Sequence, residues 1–278
     1  MSDPDPAAAG PVVVVGAGVA GVMTARALAR RGREVVVLDA LPAPAGLCSH
    51  ANAGILAVGH ARAWAAPSAV GALLRALAGR DPSLRVTRPM DPALWGWGLA
   101  FLHECTPRAH RANTARLQKL SRLGRSLLPA AEAEMALPPE TRREGGLYLF
   151  QDRARFDRHA ASLRGDDSDA EVLDRAALLA REPALARLSE RLVGGLYSPA
   201  DAVGDCRLFV ERTCGHLRRT NRVALRFDRR VTGFRRAGRR IEAVETDRGP
   251  LPCAGIVLAT GVETPALTDV STRASWLT

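Results

Sequence analysis

Lysine is nearly absent from this chain: Lys119 is the only one, although Lys and Arg together number 39 against 29 acids, for a formal net charge of +10. Aromatic residues are also scarce, at 4% of the 278 residues, which leaves few rings to stack on exposed bases. An arginine excess with abundant alanine reads as the codon bias of a GC-rich genome. The arginines concentrated from Arg218 to Arg240 therefore read as a solvated basic face, and no nucleic-acid partner is expected. The five cysteines, Cys48, Cys105, Cys206, Cys214 and Cys253, form no C-x-x-C pair. That spacing signals neither a zinc site nor a disulfide framework and suits buried thiols in a reducing compartment. No apolar run approaches the roughly 20 residues that span a bilayer. The opening MSDPDPAAAG is acidic and carries proline, unlike a basic signal sequence, so a cytoplasmic chain is expected, with at most peripheral contact at the inner face of the inner membrane.

The stretch VVVVGAGVAGVMTARALARRGREVVVLD, Val12 to Asp39, carries the clearest signal that is present. Four consecutive valines suit a parallel strand buried on both faces. Gly16, Gly18 and Gly21 follow as G-x-G-x-x-G: the first for a tight turn, the second for backbone approach to a pyrophosphate, the third for close packing of helix on strand. The helix keeps Val22, Ala25 and Leu28 on one side, ends with Arg30 and Arg31 and stops at Gly32. A second strand, Glu34 to Leu38, ends at Asp39, 18 positions after Gly21, where a carboxylate accepts from ribose hydroxyls and repels a 2′-phosphate. These residues predict an α/β dinucleotide-binding fold.

Further along, the proline- and glycine-containing loop LPAPAGLCSHANAGIL follows Asp39, and its small residues Ser49 to Gly54 admit a flat ligand. A short helical pattern lies in Trp64 to Gly79. A long one runs from Asp91 through Leu94, Trp95, Leu99 and Leu102, breaks at Pro107, and continues through Leu117, Leu120, Leu123 and Leu127 to about Met135. Trp95 and Trp97 read as packing residues, and the segment as a cap or partner-facing arm, with membrane contact a lesser reading. Strands are predicted at Gly146 to Phe150 and Gly194 to Ser198. Helices are predicted at Arg153 to Arg164, at Asp174 to Leu185 with a break at Pro183, and at Cys206 to about Arg219. The end reads as a β meander, Ala224 to Phe227, Val231 to Arg235 and Arg240 to Thr246, delivering a buried strand, Gly255 to Thr260.

The chain resembles the FAD-dependent amine and D-amino-acid oxidoreductases, most closely the small subunit of bacterial D-amino-acid dehydrogenase. The likeness rests on SHANAG (49–54) with AWAAP (63–67), WGWGLAFLHECTPRAHRAN (95–113), GGLYLF (145–150), and LAREPAL followed by VGGLYSPADAVGDCRLF (193–209). It implies a Rossmann-like FAD-binding fold with a glutathione-reductase-like two-part sheet and an interleaved, incomplete α+β substrate domain. The expected parts are 1–62 and 200–278 for FAD and 63–199 for substrate. It also implies that Val15, Gly16, Ala17, Gly18, Val19, Ala20 and Gly21 hold the FAD pyrophosphate, and that Asp39 and Ala40 serve the adenosine ribose. Ser49, Asn52, Ala53 and Gly54 would lie on the flavin side, Val231 would give backbone contacts to adenine, and Thr260 and Gly261 would line the pyrophosphate crossing. Asp39 stands where many relatives carry Glu.

Members of that family run further, with R-P-x-x-P-D-G-x-P and G-H-G-x-x-G-W segments that this sequence lacks, so a truncated or frame-shifted member is expected. The implied reaction is oxidative deamination of a D-amino acid to a 2-oxo acid and ammonia, by hydride transfer to flavin N5. Electrons would pass on to a quinone or the respiratory chain. Positioning matters more here than a strong acid or base, and no catalytic residue is assigned. His50, His60, His103, Tyr148 and Tyr197 are candidates by type, each equally readable as structural. Two other functions remain open: a catalytically inactive FAD-binding remnant, and an NAD-dependent dehydrogenase, for which SHANAG and the late strand would have no role.

Overall fold

The computed structural model describes residues 10–59, 61–80, 92–137, 143–163, 170–238 and 240–268. In chain order its elements are β1 (Val12–Val15), α1 (Val19–Arg30), β2 (Val35–Leu38), β3 (Ile55–Leu56), α2 (Pro67–Leu77), α3 (Pro92–Glu104), α4 (Pro107–Glu134), β4 (Gly146–Phe150), α5 (Arg153–Leu163) and β5 (Glu171–Asp174). Then come α6 (Arg175–Arg181), a 3-10 stretch (Pro183–Arg191), β6 (Gly194–Ser198), β7 (Ala202–Val203), α7 (Cys206–Arg218), β8 (Val223–Arg226), β9 (Val231–Ala237), β10 (Arg240–Thr246), β11 (Leu251–Pro252), β12 (Gly255–Leu258), a 3-10 turn (Gly261–Glu263) and α8 (Thr264–Leu267). They form two units: Met1–Gly54 with Glu134–Glu140 and Gly204–Thr278, and Ile55–Ala133 with Thr141–Val203.

In the first unit the four valines of β1 form the second strand of a parallel sheet ordered β12-β1-β2-β8. Successive side chains leave opposite faces of a strand. Val14, Val35 and Val37 accordingly pack with Val22 and Ala25 of α1 and with Val210, Cys214 and Leu217 of α7. Val13, Val15, Val36 and Leu38 pack on the other side with Val231 and Val244, which belong to the antiparallel sheet β11-β10-β9. Both faces are thus covered, which is why the strands read as continuous apolar runs. Each fully buried Val or Leu contributes about 2 kcal/mol of transfer free energy.

The late β region differs from a simple meander. Only β9, β10 and β11 pair antiparallel in succession; β8 lies parallel to β2, with Val35 beside Val223 and Leu38 beside Arg226. The helix α7 precedes β8 and packs against α1's side of the sheet, so β8 enters as the parallel partner that a helical crossover permits.

The second unit holds a three-stranded antiparallel sheet, β4-β6-β5, and the two-stranded pair β3-β7. Its core gathers Leu173, Leu178 and Leu192, with Leu147, Leu185 and Tyr197 packed against it. Asp174 caps α6 by accepting from the Ala177 N–H at 2.8 Å, and Pro183 ends the α-helical run, as the sequence predicts. The strand β5 just before that cap, and the two-residue strands β3 and β7, were not legible. The helices α3 and α4 keep the predicted break near Pro107, and α5 begins at Arg153; the last residue of its predicted span, Arg164, lies outside the described residues. Trp95 and Trp97, expected in packing, are instead 54% and 59% exposed. Among the described residues no helix is long and apolar enough to cross a membrane, and no cluster of His, Cys, Asp and Glu could hold a metal ion.

Candidate functional site

The glycine turn sits where β1 passes into α1, at the carboxyl end of the parallel sheet. Gly16 has φ +105°, and a Cβ there would lie 2.5 Å from Ala259 O, just past β12. A Cβ at Gly21 would lie 1.9 Å from Gly16 O. Both glycines are therefore required by the chain's own packing. Gly18 is different. Its backbone is ordinary (φ −73°, ψ 178°), and the one heavy atom a Cβ would approach is the Ser49 hydroxyl oxygen at 3.2 Å. The fold alone makes a weak demand for glycine at the position where a pyrophosphate would approach the backbone.

Asp39 closes the turn from the end of β2. One carboxylate oxygen accepts from the Ala17 N–H at 2.7 Å and the other from the Leu41 N–H at 2.9 Å. The acid predicted to meet a ribose thus also braces the glycine loop, and each oxygen keeps a further lone pair for a hydroxyl. The Asp39 carbonyl accepts from the Arg229 N–H at 2.9 Å and the Leu41 carbonyl from the Asp228 N–H at 3.0 Å, so the segment leading to Val231 runs alongside Asp39 and Ala40. Val231 itself is buried, its side chain among the core valines and its backbone paired with Thr246.

The Ser49–Gly54 loop folds onto the same turn. Ser49 Oγ accepts from the Val19 N–H at 3.1 Å, satisfying one of the free donors at the start of α1. Asn52 Oδ1 accepts from the Gly54 N–H at 2.9 Å, while Gly54, at φ +64°, accepts through its carbonyl from the Gly204 N–H at 2.8 Å. Ala53 lies exposed within this bend. On the far side, the Ala259 N–H donates to Val15 O at 2.8 Å and brings the end of β12 beside Gly16. Thr264 Oγ1 lies 2.9 Å from Gly261 O and 2.8 Å from Thr260 Oγ1, and either hydroxyl can donate in the second pair. The structure thus gathers Val15 to Gly21, Asp39, Ala40, Ser49, Thr260 and Gly261 around one strand end, where the N-terminus of α1 offers donors and positive partial charge.

Among the histidines and tyrosines, His50 is in this loop, both ring nitrogens 3.4 Å from Arg207 Nη1, and Arg207 in turn binds Glu211. His103 is an exposed residue near the end of α3, and His60 lies outside the described residues. Tyr197 donates to Glu144 O at 3.0 Å beneath the Arg181 guanidinium, 3.9 Å from its ring centroid. Tyr148 donates to Asp201 Oδ2 at 2.5 Å, and Asp201, fully buried, also accepts from the Val58 and Gly59 N–H groups at 2.7 and 2.8 Å. Burial, followed by the hydrogen bond and the charge of Asp201, pushes the Tyr148 hydroxyl well above the usual tyrosine range. A cavity of about 10 Å³ between Gly59, Arg62, Tyr148, His159 and Ser198 has room for about one water, not for an amino acid. Asp201 was missed from sequence. Within PADAVGD it reads as a turn-forming acid, and nothing local tells that its carboxylate is sealed from solvent.

Comparison with known proteins agrees with this geometry. The family model described as FAD dependent oxidoreductase matches residues 11–274. A D-amino acid dehydrogenase of Rhizorhabdus wittichii is 38% identical over 259 residues, covering 92% of this chain and 62% of that relative; D-amino acid dehydrogenase 2 of Mesorhizobium japonicum is 34% identical over the same spans. The chain therefore spans about 62% of the length of these relatives. Glycine oxidase from Geobacillus kaustophilus superposes with a TM-score of 0.68 at 19% identity, over 95% of this chain and 58% of that one, a likeness of fold. With a matched model that spans nearly the whole chain and relatives above 30% identity, this chain belongs to the FAD-dependent oxidoreductase family.

Proposed function

We propose that the chain holds FAD at the glycine turn and forms part of an enzyme that oxidises D-amino acids to 2-oxo acids and ammonia. The observation that carries this reading is Gly18: its conformation and its surroundings leave the backbone open to a pyrophosphate, while Gly16 and Gly21 are accounted for by packing. The residues present fit the cofactor. Val15, Gly16, Ala17, Gly18, Val19, Ala20 and Gly21 would cradle its pyrophosphate at the positive end of α1. Asp39 and Ala40 would meet the adenosine ribose, Val231 the adenine through its backbone, and Thr260 and Gly261 the pyrophosphate crossing. Ser49, Asn52, Ala53 and Gly54 would lie toward the flavin. In this reading the first unit holds FAD and the second contributes the substrate side.

When bound, FAD supplies the hydride acceptor for the substrate Cα–H, and the resulting imino acid hydrolyses in water. The chain's own residues bind, orient and exclude water; no side chain is assigned an acid or base role. The D-amino-acid class follows the relatives, which are D-amino acid dehydrogenases; electrons would leave to an acceptor of the quinone type, with peripheral contact at the inner face of the inner membrane. The test is a dye-reduction assay on the FAD-loaded protein with D-alanine and L-alanine as paired substrates. Dye reduction with the D-isomer supports the reading. A fully loaded protein that reduces dye with neither isomer, nor with other D-amino acids, overturns the substrate assignment and leaves flavin binding to be judged by absorbance.

A further inference from the structure

The chain enters β9 through Asp228, Arg229 and Arg230, and this turn lies against the end of β2. The Asp228 N–H donates to Leu41 O at 3.0 Å and the Arg229 N–H to Asp39 O at 2.9 Å. Asp228 takes φ +49°, a left-handed conformation that costs a non-glycine residue free energy and that Asp tolerates better than most. Two successive N–H groups thus bond to residues 39–41, which sets Arg229 beside the acid read as the ribose partner.

Arg229 is half-buried, and its Nε is sealed from solvent without a hydrogen-bond partner. Among the described residues its guanidinium makes no hydrogen bond, ion pair or ring contact. Arg26, whose Nε is also unpartnered, is by contrast held through Nη2 by Glu134 at 2.6 Å. The acids near Arg229 are engaged elsewhere. Asp39 accepts from the Ala17 and Leu41 N–H groups, and Asp247 Oδ1 from the Arg230 N–H at 3.1 Å. Leaving a charged donor buried without an acceptor is costly, so a free guanidinium at the rim of a ligand site points to an acceptor on the ligand.

The adenine nucleotide half of FAD has acceptors to offer. An ionised Asp39 can only accept, so it serves ribose hydroxyls and leaves ring nitrogens and phosphate oxygens unmatched. A guanidinium supplies donors for those atoms and is attracted to the face of an aromatic ring. We propose that Arg229 is a cofactor-binding residue whose guanidinium donates to the adenine nucleotide half of FAD, the complement of Asp39 at the same end of the site. The inference rests on the reading that FAD occupies the glycine turn.

The test is calorimetric titration of the full chain, freed of flavin, with FAD and separately with ADP, for the parent, Arg229→Met and Arg230→Met. Arg229→Met is expected to weaken FAD on the order of thirtyfold, the worth of one hydrogen bond from a charged donor, and to weaken ADP by the same factor. Its flavin-free melting temperature should be unchanged or higher, since an unpaired buried donor has been removed. Arg230→Met deletes the same charge from an exposed neighbour and is expected to change either affinity less than about threefold.

Unchanged affinities in Arg229→Met, or a loss for FAD without one for ADP, overturn the proposal. So does an equal loss in Arg230→Met, which makes the effect one of overall charge. An Arg229→Met chain that does not fold overturns it too, because the fold then needs the guanidinium for itself. A parent that binds neither nucleotide removes the reading of the glycine turn and this inference with it, whereas a parent that binds both as tightly as Arg229→Met removes the inference alone.

Discussion

Tyr148 gives its hydroxyl proton to Asp201 across 2.5 Å, and that carboxylate is fully buried, holding the Val58 and Gly59 N–H groups with its other oxygen. A tyrosine committed in this way is a poor general base, since ionising it would set two negative charges side by side in a sealed site. Tyrosinate absorbance can follow it, because the chain has only two tyrosines. Tyr148 is expected to remain protonated well above pH 10 in the folded protein, and Asp201→Asn is expected to lower its titration by removing the neighbouring charge. Folded Tyr148 holds its proton more tightly than unfolded tyrosine, so the stability linked to it is full below pH 10 and is lost as pH rises toward the raised folded value. Titration of Tyr148 near pH 10 in folded protein would contradict the contact.

Asp201→Ala strands three donors in a buried place. Its expected cost is about 4 kcal/mol by urea denaturation, against a smaller loss for Asp201→Asn, which keeps an acceptor. Equal, small losses for both would show that the carboxylate does not organise the second unit.

Gly21→Ala is expected to prevent folding, because its Cβ would fall 1.9 Å from Gly16 O and neither backbone segment can yield without breaking β1 or α1. Circular dichroism of the purified variant checks this. Native-like helix content and melting would disprove the required contact.

For Asp39→Ala the expectation has two parts. Losing the bonds to Ala17 N and Leu41 N is expected to cost about 2 kcal/mol of stability, and FAD affinity should fall more than that loosening explains, since the ribose partner is gone as well. Asp39→Glu, which keeps an acid at the end of β2, is expected to hold FAD more tightly than Asp39→Ala. Affinity unchanged in Asp39→Ala would place the ribose elsewhere.

Thiol chemistry reports on the core. Cys48 is exposed, whereas Cys105, Cys214 and Cys253 are buried. Burial pushes the Cys214 thiol up to about 11, with Arg218 lowering it and Glu211 raising it, and burial also raises Cys253. Cys48 is expected to react first with a disulfide reagent at pH 8, and the buried three only on unfolding. Fast reaction of Cys214 in native protein would contradict its place between α7 and the sheet.

How much of this was legible follows from how local each signal is. Val12–Val15, the glycine turn, α1 and β2 were readable because contiguous valines, three spaced glycines and a terminal acid are local marks of a parallel strand-turn-helix-strand unit. The return of Gly255–Leu258 beside β1 was legible as a strand but not its burial: at the edge of the sheet it is only half-buried, where its apolar residues suggested a buried one, and its partner was suggested only by the family resemblance. By contrast, β8 was read into the meander because four residues carry no mark of parallel or antiparallel pairing; α7 packed below the sheet decides it. Trp95 and Trp97 were misread because a helix with no charged residue before its last, Glu104, resembles a core helix in sequence, and exposure is a property of the neighbours. The bracing role of Asp39 and the burial of Asp201 depend on bonds to segments 22 and 143 positions away, beyond the reach of any window of sequence.

The most direct measurement is titration of the purified chain with FAD, following flavin fluorescence, for the parent and for Gly18→Val. The expected result is saturable binding of one FAD per chain by the parent, and a loss of affinity on the order of a hundredfold in a Gly18→Val variant whose circular dichroism is unchanged. A folded parent that does not bind FAD, or a Gly18→Val variant that binds it as tightly, would contradict the assignment of the glycine turn as the cofactor's cradle.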